Sequence, residues 1–342
     1  MRKVVLGKSR LEVSAVGVGG IPIQRINQDE AVLVIRRALD LGVTFIDTAA
    51  GYSDSQLKIG AAIKGRRDGL VLATKSGDAT REGILRDVEK SRAELGVAVV
   101  DLYQLHAVSD RGKWERVRAR GGALEGLLEA RDAGHVRHIG VTSHNLDLAL
   151  EMIEHSAFET VQFPFNLVTS EPADALIPKA RRLGLGFIVM KPLCGGQYDN
   201  ARLAFKFLNG YPDLVAIPGI ERPEEIEEIV SLVESGETLT GDEKAEAAAI
   251  AAKLGRLFCR RCGYCQPCRQ GVSITMAMTF EGAAKRMPRE QLVKDWALRV
   301  AKVPDLCIEC GECEEKCPYE LPIVETIKRT AEMARDMMDG DD

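Results

Sequence analysis

The sequence predicts an α/β chain, a (β/α)8 barrel of the TIM type followed by a smaller all-α module. Three observations lead there. From Ser14 to Val233 short apolar runs alternate with stretches of helical periodicity, and eight β-then-α units of this length are what such a barrel needs. Beyond Glu237 the alternation stops and cysteines accumulate between helical stretches. No Gly-x-Gly-x-x-Gly turn follows the first strand, which weighs against the rival doubly wound sheet. A length of 342 residues gives room for about two domains.

The elements follow in order. The stretch before Ser14 has the form of a short hairpin that could close the barrel floor. The expected strands are Ser14–Gly19, Thr44–Thr48, Leu70–Ser76, Val99–His106, His138–His144, Thr160–Asn166, Gly186–Leu193 and Leu214–Ile220. Helical periodicity marks Gln28–Asp40, Thr80–Leu95, Gly122–Ala133 and Arg222–Val233 among the intervening segments. Gly241–Leu254, rich in Ala, Glu and Lys, reads as a single linking helix. The expected divisions are therefore residues 1–240 for the barrel, 241–256 for the linker and 257–342 for the module.

A formal charge of −5 and the lack of a basic run speak against nucleic acid or anionic membrane as partner. No apolar stretch approaches a membrane span, and no export signal is read at Met1-Arg-Lys-Val-Val5. Clustered thiols in such a chain suggest a reducing, cytoplasmic setting, where metal ligation outranks disulfides.

Eight of the nine cysteines form two runs, Cys259, Cys262, Cys265, Cys268 and Cys307, Cys310, Cys313, Cys317. The second run, followed by Pro318, has the C-x2-C-x2-C-x3-C-P spacing that holds [4Fe–4S] clusters. An internal repeat aligns Cys268-Arg-Gln-Gly-Val-Ser-Ile274 with Cys317-Pro-Tyr-Glu-Leu-Pro-Ile323. Zinc held by C-x2-C pairs is the alternative; the four-cysteine spacing and the duplicated tail favour two iron–sulfur clusters. The insert between the runs exceeds that of a minimal two-cluster ferredoxin, so a helical ferredoxin-like module is expected. The first run departs from the pattern, with two residues between Cys265 and Cys268 and Arg269 in place of proline. If the usual ferredoxin crossover applies, Cys259, Cys262, Cys265 and Cys317 hold one cluster, and Cys307, Cys310, Cys313 and Cys268 the other. Cys194 is left over and reads as a small buried hydrophobe.

In a barrel of this type the chemistry sits at the C-terminal ends of strands. Those ends carry Asp47 and Tyr52 after the second strand, Lys75 on the third and His106 closing the fourth. The text Phe45-Ile-Asp-Thr-Ala-Ala-Gly-Tyr52, Leu72-Ala-Thr-Lys75 and Asp101-Leu-Tyr-Gln-Leu-His106 resembles the aldo-keto reductases in the order of their Asp, Tyr, Lys, His tetrad. Ile139-Gly-Val-Thr-Ser-His-Asn145, Val161-Gln-Phe-Pro-Phe-Asn166 and Ile217-Pro-Gly219 extend the resemblance over the barrel.

That resemblance implies interconversion of a small carbonyl and its alcohol with NADP(H) or NAD(H). Tyr52 would be the proton donor, since a phenol of ordinary pKa near 10 can be brought into range by Lys75, itself held by Asp47. His106 would orient the carbonyl oxygen. Ser143, Asn145 and Gln162 would hold the nicotinamide carboxamide. The turn at Gly219 would present amides to a phosphate. Met190 stands where an aromatic usually stacks on the nicotinamide. Arg222 is the basic residue near the adenosine phosphate, with Glu221, Glu224 and Glu225 beside it. The choice between NADPH and NADH stays open, as does the bland alternative of a structural Asp47–Lys75 ion pair with Tyr52 in packing.

A hydride carries two electrons and a cubane cluster normally one, and no flavin signature is evident, so the clusters are either structural or deliver single electrons to a carbonyl substrate or to a flavin in the barrel. A ferredoxin-type electron carrier is a conceivable partner. The competing reading is a ferredoxin-linked electron-transfer or redox-sensing protein that uses the barrel as scaffold or flavin site. Trp114, in the long stretch after the fourth strand, is a candidate cover for the substrate.

Overall fold

The computed structural model describes residues 1–285 and 287–339, and the side chains of Gln291 and Lys294 are outside the description. The chain forms two compact units, one spanning Met1–Ile250 and the other beginning at Ala251.

In the first unit, β1 (Lys3–Val5) and β2 (Glu12–Ser14) make an antiparallel hairpin. Eight parallel strands follow: β3 (Val18–Gly19), β4 (Phe45–Asp47), β5 (Val71–Ser76), β6 (Val100–Leu105), β7 (Val136–Thr142), β8 (Thr160–Pro164), β9 (Gly186–Met190) and β10 (Val215–Ile217). Their spatial order is the order of the sequence. Bridges Val16 to Ala216 and Gly19 to Gly219, with the Gly19 N–H donating to Pro218 O at 2.7 Å, join the last strand to the first. The barrel is thereby closed and has no free edge. The hairpin meets the N-terminal end of β9 through Gly7, whose φ of +54° suits glycine. A Cβ there would lie 2.3 Å from Gly184 O.

The first strand is shorter than the sequence suggests. Ser14 ends the hairpin, and only Val18–Gly19 forms regular ladder, because the glycines at 17, 19 and 20 offer little side chain to pack. Strand β8 stops at Pro164, and Asn166 leaves it to accept hydrogen bonds from the Val168 and Thr169 amides.

The helices that cover the strands are α1 (Gln28–Asp40), α2 (Ser55–Ile63), α3 (Arg81–Leu95), α4 (Arg111–Arg118), α5 (Ala123–Asp132), α6 (Leu146–Met152), α7 (Leu176–Arg182), α8 (Ala201–Asn209) and α9 (Pro223–Ser235). The boundaries have local causes. Asn27 and Glu30 form a capping box at the start of α1, and Thr80 caps α3 through the Gly83 amide. Helix α1 buries Ala31, Val34, Ile35, Ala38 and Leu39, a stripe at helical spacing. Trp114 lies in α4, 3% exposed and packed against His155 and Phe158. It belongs to the core and does not cover a substrate, because the loop after β6 folds into an extra helix with an apolar underside. Helix α10 (Gly241–Leu254) is fastened to α8 by Glu243, which pairs with Lys206 at 3.1 Å and with Arg202. Its Ala247 packs with Leu203 and with Leu167, just beyond β8.

The second unit has a separate core of Val272, Ile274, Ala277, Phe280, Val300, Val303, Ile323, Ile327, Ala331 and neighbours. Helix α11 (Ile274–Ala284) and the helix Ile323–Asp339 supply half of it. Between them a π-helical turn, Leu292–Ala297, lies within helical text from Arg289 to Val300.

Candidate active site and metal centre

At the C-terminal ends of the strands, β4 ends on Asp47, β5 carries Lys75, and the chain leaving β6 begins with His106. Asp47 is 2% exposed and Lys75 1%. The Lys75 ammonium donates to Asp47 Oδ1 and to Thr48 O, the latter at 2.7 Å. Gln104 Nε2 donates to Asp47 Oδ2 at 3.0 Å, and the Gln162 side chain also favours the charged carboxylate. Burial pushes the Asp47 carboxyl up and the Lys75 ammonium down, each opposed by the charge of the other.

Tyr52 lies half-buried above this pair. Lys75 Nζ is 5.2 Å from the centre of its ring, and the His106 ring meets it edge-on at 5.7 Å. All four tetrad residues are therefore gathered at one mouth. The backbone holds them there: the Tyr52 amide donates to Ala49 O, and the His106 amide to Ser76 O at 2.8 Å. Two residues that the sequence reading passed over complete the frame. Gln104 grips the free side of Asp47, and Lys113 Nζ donates to His106 O at 2.7 Å.

The expected nicotinamide residues surround the same mouth. Ser143 follows β7, fully buried, with its hydroxyl donating to Val108 O at 2.8 Å and accepting from the Asn145 amide. Asn145 caps α6 by accepting from the Leu148 amide. Gln162 sits inside β8 with Oε1 buried and without a hydrogen-bond partner, an acceptor suited to a ligand amide. Met190 ends β9, half-buried against the core. Gly219 is exposed beside Pro22, whose Cγ would be 2.6 Å from an added Cβ. Arg222 is exposed at the start of α9 and pairs with Glu225 at 2.8 Å. The expected anion-binding amides are partly taken up, since Glu225 Oε2 accepts from the Glu221 and Arg222 amides at 2.8 and 3.2 Å. Cys194 is 3% exposed with its thiol on Asn166 Oδ1.

In the second unit, Cys259, Cys262, Cys265 and Cys317 line a single cavity, with Arg260, Tyr264, Met278 and Tyr319 among its other walls. The thiols surround a volume. Among the described residues no group of three His, Cys, Asp or Glu side chains is already drawn together around a single metal position. Burial pushes the Cys265 thiol up to about 12, with Cys259 and Cys262 adding to the shift; burial and then Cys317 raise Cys262. Such thiols become ligands when a metal centre supplies the compensating charge. The second run is more open: Cys307, Cys313 and Cys268 are half-buried and Cys310 is exposed. Arg269 lies 3.5 Å from Glu312, which brings the residue after Cys268 to the one before Cys313.

The two runs share a pattern of left-handed residues. Arg261 and Glu309 have φ of +65° and +57°, Gly263 and Gly311 +81° and +76°, and Gly271 and Glu320 +75° and +51°. Each pair occupies matching places after Cys259 and Cys307, or after Cys268 and Cys317. The two runs therefore turn at the same places along the chain.

Comparison with known proteins agrees with both units. Residues 5–206 match the aldo/keto reductase family, and residues 257–321 match the 4Fe-4S dicluster domain. Aldo-keto reductase YhdN of Bacillus subtilis is 30% identical over 202 residues, 55% of this chain and 59% of the relative's length. Among solved structures, aldo-keto reductase AKR11C1 from Bacillus halodurans, in its holo form, superimposes with a TM-score of 0.63 at 22% identity. It covers 73% of this chain and 96% of that one. An aldo-keto reductase from Klebsiella pneumoniae in complex with NADPH gives 0.62 at 22% identity, over 73% and 95% of the two chains. No helix among the described residues is long and apolar enough to cross a membrane. The chain belongs to the aldo/keto reductase family and carries a 4Fe-4S dicluster domain after its barrel.

Proposed function

We propose that the barrel interconverts a small aldehyde or ketone and its alcohol with NADP(H) or NAD(H), with Tyr52 as proton donor. The observation that carries this reading is the buried Lys75–Asp47 pair directly beneath the Tyr52 ring, with His106 beside it. A nicotinamide, as in the NADPH complex of the Klebsiella relative, would supply the hydride. Gln162 Oε1, Ser143 and Asn145 would hold its carboxamide, Met190 would rest against its ring, and Gly219 and Arg222 would receive its phosphates.

In the reducing direction the carbonyl carbon gains the hydride and the carbonyl π pair becomes an O–H bond to the Tyr52 proton. Tyr52 is left as phenolate. The Lys75 ammonium stabilises that charge, and Asp47 keeps Lys75 protonated in spite of its burial. His106 donates toward the substrate oxygen and fixes its direction. Gln104 and Lys113 act only through Asp47 and His106. The eight cysteines of residues 257–342 hold two [4Fe–4S] clusters, one on Cys259, Cys262, Cys265 and Cys317, the other on Cys307, Cys310, Cys313 and Cys268. The shared cavity supports the first grouping and the Arg269–Glu312 approach the second. Residues 1–240, 241–256 and 257–342 serve as barrel, linker and cluster domain of a cytoplasmic oxidoreductase.

The test is nicotinamide oxidation by the anaerobically purified chain with a panel of small aldehydes and ketones. Turnover is expected with some of them, and Tyr52→Phe should lower it about a hundredfold or more while NADPH or NADH affinity stays close to wild type. Equal turnover in the variant would remove Tyr52 from the chemistry.

A further inference from the structure

The two cysteine turns share their left-handed positions and carry opposite charges. From Arg256 to Arg269 the chain carries four basic residues and no acid; from Asp305 to Glu325 it carries seven acids and one lysine. The contrast is sharpest at one pair of equivalent positions. The residue after Cys259 is Arg260, and the residue after Cys307 is Ile308. Arg260 is 9% exposed, lines the cavity of Cys259, Cys262, Cys265 and Cys317, and lies with its guanidinium 3.6 Å from the centre of the Tyr319 ring. Tyr319 follows Cys317 by two residues, so the stack pins the cation against the returning fourth thiolate. Ile308 is 65% exposed, and its neighbour Glu309 is paired with Lys328 at 2.5 Å.

We propose that Arg260 makes the two clusters unequal, holding the one in the Cys259, Cys262, Cys265 and Cys317 cavity at the higher reduction potential. A single electron entering the module then comes to rest there. The inference rests on the two-cluster reading above. Reduction adds one electron to the cluster core and breaks no bond, so the added negative charge is the quantity the surroundings weigh. A fixed cation in the cavity wall stabilises the reduced form. Burial alone disfavours added charge, but it also removes the water that would screen Arg260. Around the second run, Glu312 and Glu314 flank Cys313 and oppose added charge.

The experiment is an anaerobic redox titration of the iron-replete full-length chain, followed by electron paramagnetic resonance with dithionite as reductant. Iron and sulfide are assayed first, so that a protein without clusters is recognised as failure of the cluster reading. Two midpoints are expected. Arg260→Ile should move the higher one downward by at least a tenfold change in electron distribution, about 59 mV for one electron, and leave the lower in place. Ile308→Arg should raise the lower one. If Arg260→Ile loses iron, Arg260→Gln and Arg260→Lys replace it: the first should shift the midpoint and the second should keep it. An unmoved higher midpoint in an iron-replete neutral variant, or a shift confined to the lower one, overturns the proposal.

Discussion

Asp47 and Lys75 lie inside a core that runs through every strand of the barrel, whereas the apolar core of the second unit contains one cysteine, Cys265, and touches five others. The proposed reactive residues of the barrel are thus enclosed by its core, and the proposed ligands of the module border its smaller core. Deleting a charge in the first disturbs a site within a scaffold that stands. Deleting a ligand in the second removes part of what the scaffold is built on.

The largest expected effect follows from that contrast. Cys265→Ala, or exhaustive chelation of the wild-type protein, should drop the iron content from about eight atoms by at least one cluster of four. It should also abolish the helical signal of residues 257–339 while the barrel retains its cooperative unfolding. Cys194→Ala, which touches only the barrel, should leave iron unchanged. Equal helical content with and without iron, judged by circular dichroism, would erase the distinction between the two regions.

A smaller effect is expected from breaking the buried pair in the barrel. Asp47→Asn leaves the Lys75 ammonium without its counter-charge, and such a loss costs about 3–5 kcal/mol at neutral pH. The deficit has a direction in pH. Burial already pushes Lys75 down, and without Asp47 nothing of opposite charge holds it up. The unfolded variant then binds the proton more readily than the folded one, so its stability rises with pH toward the ordinary lysine range. Urea unfolding of Asp47→Asn at pH 7 and pH 9 checks this; a gap that widens at the higher pH would contradict it.

The sequence showed the architecture where each residue announces its role locally. Helix Gln28–Asp40 was legible to the residue because Asn27 and Glu30 mark its start and a regular stripe marks its face. Asp47, Tyr52, Lys75 and His106 stood out because strand ends are visible in apolar runs. Gln104 did not. It lies on a strand buried throughout, and its partner Asp47 is two strands along the sheet and 57 residues away in the chain. Arg260 was hidden for the same reason, since its meaning depends on Tyr319 returning to the first cysteine run. Trp114 misled because a long segment between strands looks like a loop until its helical face is seen. Contacts set by closure of the chain on itself are what periodicity leaves out.

In the proposed function the barrel carries two-electron chemistry and the module one-electron chemistry. The most direct test of this division is stopped-flow mixing of the oxidised, iron-loaded protein with excess NADPH, without flavin, under anaerobic conditions. The visible absorbance of the clusters should stay unbleached over many turnovers' time, although added dithionite bleaches it. Rapid bleaching by NADPH alone would contradict the account and show that the two centres exchange electrons directly.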